Sequence, residues 1–340
     1  MIIDLRSDTV TKPSKPMLEA MFNAKLGDDV FGEDETVNEL QEKCAKLTGK
    51  EDALFVPTGV MGNQLAIKCH TQPGDEVLVE SESHVLNYET GAPAVISNVQ
   101  MLQVQGRMGI VNVNDIKKYV RSSEYYFPLT KLICLENTHN RAGGIIQPIE
   151  VFKEFSTFAK DNKIKLHLDG ARIFNASVET GISVKEYASH FDSISFCFSK
   201  GLGCPVGSIL CGDKDFINMS RKWRKILGGG MRQVGILAAA GIYALDNNVE
   251  RLKEDNRKAK YFADELSKLE GIKVDLNSVQ TNIVIFNSSN ISKKDFINKL
   301  KEKGLLISSG SYENMRAVFH LDVSEDKVKK AVEKIKALVK

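Results

Sequence analysis

Two apolar runs in this chain each stop at a charged residue. In His167-Leu168-Asp169-Gly170-Ala171-Arg172 the run ends in a carboxylate with an arginine close behind it. In Ser195-Phe196-Cys197-Phe198-Ser199-Lys200-Gly201-Leu202-Gly203 it ends in a lysine among glycines. Buried parallel strands are apolar almost throughout, and open α/β sheets bind ligands beyond the carboxyl ends of their strands. A lysine and an aspartate delivered to that edge suit pyridoxal 5'-phosphate (PLP). That cofactor needs an amine to condense with its aldehyde and an acid to keep its ring nitrogen protonated. A salt bridge between neighbouring strand ends is the plainer reading of the same pair. Gly201 and Gly203 favour the first reading, since they are expected to leave room for a flat ring beside Lys200. The apolar residues before each charge imply a dry site, where a desolvated lysine has a lowered pKa and attacks a carbonyl more readily.

Other residues fit the same edge. Thr58-Gly59-Val60-Met61-Gly62-Asn63 lies between a strand-like and a helical segment. Free N–H groups at such a helix start bind phosphate, although an ordinary tight turn has the same look. The segment is neither a Walker loop nor G-x-G-x-x-G, which weakens any nucleotide reading. His84 follows the strand-like Glu76–Glu80 and could stack on a cofactor ring or carry a proton near neutral pH. His139, in a polar loop, is a similar candidate; a structural hydrogen bond is the usual fate of either. Arg172 and Arg316 are candidate carboxylate clamps, because a guanidinium binds a carboxylate in a fork. His167 with Asp169, and His320 with Asp322, lack a third ligand and read as non-metal.

These residues need a scaffold, and the chain has the material for one. Its 340 residues suit a large domain plus a smaller one. With 46 basic and 44 acidic residues, nucleic acid or an acidic membrane is not the expected partner. Met1-Ile2-Ile3-Asp4-Leu5-Arg6 carries an acid in its only apolar run, unlike a signal peptide. Six cysteines without a C-x-x-C pair, mostly in apolar surroundings, suit reduced thiols in a cytoplasmic enzyme. Cys197, Cys204 and Cys211 recur every seven residues but fall on a strand, a turn and a second strand, so no metal site is expected.

Strand-like and helical segments alternate through the first part. Helices are expected over about 15–23, 35–48 and 148–160, and from Gly59 to about 70. Strands are expected over 53–57, 76–80, 95–97, 131–136, 165–169, 193–199 and 206–211. That alternation predicts an α/β fold with a mostly parallel sheet and helices on both faces. After the break at Gly228-Gly229-Gly230 a helix begins near Gln233, and beyond Asn247 the pattern becomes that of a compact α+β domain. The expected division is a large cofactor-binding domain, 1–247, and a small C-terminal domain, 248–340.

At this point the chain resembles the low-specificity L-threonine aldolase family, whose fold is that of the fold type I PLP enzymes (aspartate-aminotransferase-like). The resemblance lies in Ile3-Asp4-Leu5-Arg6-Ser7-Asp8-Thr9-Val10-Thr11 and Gly27-Asp28-Asp29-Val30-Phe31-Gly32. It continues in 136–139, 169–175, 199–205, 228–233 and His320-Leu321-Asp322-Val323, so it spans nearly the whole chain. It implies cleavage of L-threonine, L-allo-threonine and related β-hydroxy amino acids to glycine and an aldehyde. Another fold type I reaction, β-elimination or transamination, is the alternative. By matching motif, Lys200 would hold PLP, Asp169 would pair with its ring nitrogen, and His84 would stack on it. Gly59 and Val60 would bind the phosphate through backbone N–H groups. Ser7, Arg172 and Arg316 would hold the substrate carboxylate. The family's dimer-of-dimers assembly would make a homotetramer, with Arg232 reaching a neighbouring subunit's phosphate. His84 is the first choice of base, with Glu89 and Tyr126 as helpers. Val60 stands where relatives often have Thr, Phe31 where many have Tyr, and Tyr126 where several place a His near the substrate hydroxyl.

Overall fold

The computed structural model describes residues 2–339. Its strands in chain order are β1 (Ile3–Asp4), β2 (Asp52–Val56), β3 (Glu76–Glu80), β4 (Gln100–Val104), β5 (Thr130–Glu136), β6 (Lys165–Asp169), β7 (Ser193–Cys197) and β8 (Ser208–Gly212). β9 (Ile272–Val274), β10 (Ile283–Ser288), β11 (Leu305–Leu306), β12 (Ser308–Ser309) and β13 (Met315–Val318) follow.

β2 to β8 form a seven-stranded sheet in the order β2-β8-β7-β6-β5-β3-β4. The pairs from β4 through β3, β5 and β6 to β7 are parallel. β8 runs antiparallel to both its neighbours. The sheet is therefore mostly parallel, as the alternation of elements predicts. β3, β7 and β8 are buried along their full length, as strands covered on both faces must be. The main core packs Phe152, Phe155, Phe196 and Phe198 between sheet and helices. A second core, with Phe262, Phe286, Phe296 and Phe319 at its centre, joins the antiparallel sheet β12-β13-β10-β9 to the C-terminal helices.

Three features differ from the sequence expectation. The apolar Val95–Ser97 forms a wide helical turn with Val95 exposed, and the adjoining strand is β4. β4 is an edge strand with mixed burial, so no apolar run announces it. The amphipathic helix Lys214–Ile226, capped by Asp213, was not anticipated. The N-terminal segment, expected within the large domain, opens with β1 pairing parallel to β11, and Ile3 and Leu5 are buried in the second core. Among the described residues no helix is long and apolar enough to cross a membrane.

Candidate active site

The parallel strands bring their carboxyl ends to one edge, and the candidate residues sit just beyond them. Asp169 is the last residue of β6 and Lys200 comes three residues after β7. Gly59 and Val60 open the helix Gly59–His70 after β2, and His84 opens a short helix after β3. All five line one cavity of about 360 Å³, with Thr9, Asn63, Cys197 and Ser199 among the other walls.

The helix after β2 starts where the sequence placed it. Thr58 Oγ1 accepts from Met61 N at 3.1 Å, which leaves the N–H groups of Gly59 and Val60 for a ligand. A Cβ at Gly59 would lie 2.7 Å from Cys197 Sγ, so only glycine lets this helix start approach β7. Gly201 and Gly203 play a different part from the one expected. A Cβ at Gly201 would meet Leu252, and one at Gly203 would meet Leu321. These glycines let the lysine loop pack against the C-terminal elements rather than making room for a ring. Asn248 Nδ2 donates to Leu202 O at 2.7 Å, and Thr11 Oγ1 donates to Lys200 O at 3.1 Å, which hold the loop.

Asp169 is 7% exposed and has donors on both oxygens, Ala171 N at 3.0 Å and Asn63 Nδ2 at 2.8 Å. Burial favours its neutral form, but His84, Lys200 and Asn63 outweigh burial and hold its pKa below the usual range. His84 Nδ1 lies 2.9 Å from Glu89 Oε1. Glu89 is buried and also accepts from Asn63 Nδ2 at 2.8 Å and Gln64 Nε2 at 2.6 Å. A carboxylate accepts only, so Nδ1 carries the hydrogen and neutral His84 keeps its lone pair on Nε2. One atom each of His84, Glu89 and Asp169 lies within 4.8 Å of the others, a spacing a metal could use. The Asn63 amide between the two carboxylates already supplies hydrogen to both, so the donor set suits an organic ring better than an ion.

The two arginines meet at a third point. Arg172 donates through Nε and Nη2 to the two oxygens of Asp8, both at 2.7 Å. Its fork is therefore taken, contrary to its expected role as a free clamp. Its Nη1 lies 3.1 Å from Asn140 Oδ1, and Arg316 Nη2 lies 2.8 Å from the same oxygen. Arg316 Nε is buried and has no hydrogen-bond partner among the described residues. Burial and the charge of Arg172 push Arg316 down to about 10. A substrate carboxylate would relieve both effects. Ser7 Oγ accepts from Thr9 N at 3.2 Å and caps the turn that presents Asp8.

Burial opposes ionisation of Asp8, but Arg172, Lys200 and Arg316 outweigh it and hold its carboxyl well below the usual range. A depressed folded-state pKa contributes stability that is fully present above the unfolded pKa, near 3.8, and lost as pH falls through the folded value. Asp8→Asn is therefore expected to lower Tm at neutral pH and to flatten the decline of Tm below about pH 4. Thermal melts across that range check this; parallel declines for both proteins would remove Asp8 from the account.

Two candidates lie elsewhere. Tyr126 precedes β5, and its loop neighbours bind the start of β3: Leu129 O accepts from Glu76 N, and Arg121 pairs with Glu76. Because β3 and β5 are parallel, their starts face away from the cavity by the length of a strand, roughly 20 Å. Tyr126 is 64% exposed and takes no part in its own chain's site, which corrects its expected role there. Arg232 does not line the cavity; it bonds to Asp28 Oδ2 at 2.9 Å and lies over the Phe31 ring. His139 is fully buried, with Nε2 on Glu80 at 2.9 Å and Nδ1 accepting from Ala142 N, so both ring nitrogens are committed to structure. Asp8, Asn63 and Asn140 were not singled out from the sequence. Nor was Tyr88, whose ring lies 5.5 Å from that of His84.

The sequence profile of the beta-eliminating lyase family matches residues 4–289. The low-specificity L-threonine aldolase of Escherichia coli (strain K12) is 43% identical over 328 residues, covering 96% of each chain. Low-specificity L-threonine aldolase 1 of Arabidopsis thaliana is 40% identical, covering 96% of this chain and 93% of its own. A threonine aldolase structure from Leishmania major superposes with a TM-score of 0.85 at 20% identity over 99% of both chains, a likeness of fold.

Proposed function

Because this chain belongs to the low-specificity L-threonine aldolases, within the beta-eliminating lyase family, we propose that its cavity cleaves L-threonine and L-allo-threonine to glycine and acetaldehyde. The enzyme is a PLP-dependent carbon–carbon lyase. The observation that carries this reading is the convergence of Lys200, Asp169, His84 and the helix start at Gly59 on one cavity.

When bound, the cofactor supplies an electron sink for the charge left on the substrate's α-carbon. The residues supply the rest. Lys200 would anchor the cofactor through its amine. Asp169 would keep the ring nitrogen protonated, and the N–H groups of Gly59 and Val60 would take the phosphate. Arg316, backed by Arg172 and with Ser7 beside them, fixes the substrate carboxylate. His84 would lie against the ring and, through Nε2, accept the β-hydroxyl proton; Glu89 orients it. Removing that proton lets the Cα–Cβ bond break with release of the aldehyde.

His84 accepts a proton only when neutral. Burial lowers its pKa, but the hydrogen bond it donates to Glu89 and the charges of Asp169, Glu89 and Glu136 prevail and raise it above 6.5. Activity is lost as pH falls through that raised value, so the acid limb of kcat is expected above 6.5, and Glu89→Gln should move it to lower pH. A limb unmoved in a stopped-flow pH profile would place the base elsewhere.

We further infer a cytoplasmic homotetramer that works in amino-acid breakdown and glycine supply, with domains over 1–247 and 248–340 and β1 packed in the smaller core. The exposed apolar residues Phe22, Leu26, Phe31 and Ile226 support association, since a monomer gains nothing from leaving them in water. Arg232, half exposed beside Phe31, is then positioned for a neighbouring subunit's phosphate. Mixing inactive Lys200→Ala with Arg232→Ala subunits should restore activity. No recovery after proven subunit exchange would confine Arg232 to its own chain.

Product analysis tests the function. L-threonine should yield glycine and acetaldehyde in equal amounts. A keto acid with ammonia, or a keto acid with an aminated cofactor, would make the enzyme an eliminating lyase or an aminotransferase instead.

A further inference from the structure

Behind Asp169 a line of hydrogen bonds runs through the sheet, and its direction follows from valence and from the neutrality of a buried ring. His167 and Asp169 alternate along β6, Ser193 and Ser195 alternate along β7, and the two strands pair His167 with Ser193 and Asp169 with Ser195. All four side chains therefore face the helix Gly59–His70, on which Asn63 and His70 lie two turns apart.

Asn63 Nδ2 lies 2.8 Å from Asp169 Oδ2 and 2.8 Å from Glu89 Oε1. Carboxylates only accept, so the amide nitrogen faces them and the amide oxygen faces back. That oxygen accepts from Ser195 Oγ at 2.8 Å and lies 3.1 Å from His167 Nε2, which must therefore carry a hydrogen. His167 is 1% exposed, and burial pushes it down to about 4, so the ring is neutral with one N–H. Its Nδ1 is then an acceptor, and Ser193 Oγ at 2.9 Å donates to it. With its only hydrogen spent, Ser193 Oγ accepts from His70 Nε2 at 2.9 Å.

Every donor in the line His70–Ser193–His167–Asn63 thus points toward Asp169. We propose that this polarised line holds the Asp169 carboxylate ionised and aimed at the cofactor's ring nitrogen, which makes Asn63, His167, Ser193 and His70 positioning residues of the reaction. Hydrogen bonds in series polarise one another, and the low dielectric around them strengthens the effect at the terminal charge. The line carries dipoles rather than a net charge, so it steadies the carboxylate without competing with the protonated ring for it as a cation would.

This inference rests on the assignment of Asp169 to the ring nitrogen. Cofactor affinity left unchanged by Asp169→Ala would refute that assignment itself, whatever the state of the line. Two measurements test the line. Neutron diffraction from the deuterated holoenzyme should show deuterium on His167 Nε2 and none on Nδ1; the opposite tautomer overturns the proposal and requires no substitution. Titration of apoenzyme with PLP should give roughly 10- to 100-fold weaker binding in His167→Phe, the scale for losing support to a charged group. In the same variant kcat should fall while KM for threonine holds, because the carboxylate clamp is elsewhere. A variant that folds with unchanged Tm, cofactor affinity and kcat overturns the proposal. If His167→Phe fails to fold, Ser193→Ala, which removes the donor to His167 Nδ1 and the acceptor of His70 Nε2, gives the same test.

Discussion

Lys200→Ala is expected to fold and bind cofactor weakly, to lose the yellow absorbance of a lysine-bound cofactor, and to lower kcat by ~10⁵-fold or more, the scale on which removing a covalent anchor acts. The fold should survive because Lys200 is half-buried at a strand end and its side chain makes no hydrogen bond or salt bridge among the described residues. The loop around it is held through backbone carbonyls, by Thr11, Asn248 and Arg251, and none of those contacts uses the amine. Absorbance and single-turnover cleavage of L-threonine check the result. Near-normal turnover with intact colour would mean another lysine holds the cofactor.

The second large effect separates the two arginines. Arg316→Ala removes the guanidinium whose Nε lacks a partner among the described residues, and losing one member of a desolvated charge pair costs about 2–5 kcal/mol. Its kcat/KM should fall by about 30-fold or more by that measure, with little change in Tm. Arg172→Ala leaves Asp8 buried and unpaired, which destabilises by about 3–5 kcal/mol. That variant should lose stability as well as activity. Glycine affinity and thermal melts on both variants decide it. Equal Tm losses would mean that Arg316 is structural too; unchanged glycine affinity in both would remove the carboxylate clamp from this corner.

Asp169 and Lys200 were legible because each ends an apolar run, a pattern that strand burial imposes locally. His84 and the helix start at Gly59 could be placed for the same reason: they follow strands whose limits the sequence marks. Asp8 and Asn63 were not legible. The pair Asp8–Arg172 joins residues 164 positions apart, and Asn63 matters only because β6 and β7 lie behind its helix. Nothing in the local sequence announces such contacts. Tyr126 shows the converse error. A residue can match a family position by alignment, yet in its own chain the parallel strands carry it to the far edge. The roles of Gly201 and Gly203 were misjudged because a glycine's missing Cβ says that something approaches closely, not what. β4 escaped because an edge strand need not be apolar.

The central claim is that Lys200, and no other lysine, carries the cofactor in this cavity. Borohydride reduction of the wild-type holoenzyme followed by peptide mass mapping tests it directly. The reduced cofactor should be found on the peptide containing Lys200, and prior incubation with excess glycine should diminish the label. Attachment to a different lysine, or no attachment in a protein that still cleaves threonine, would contradict the account.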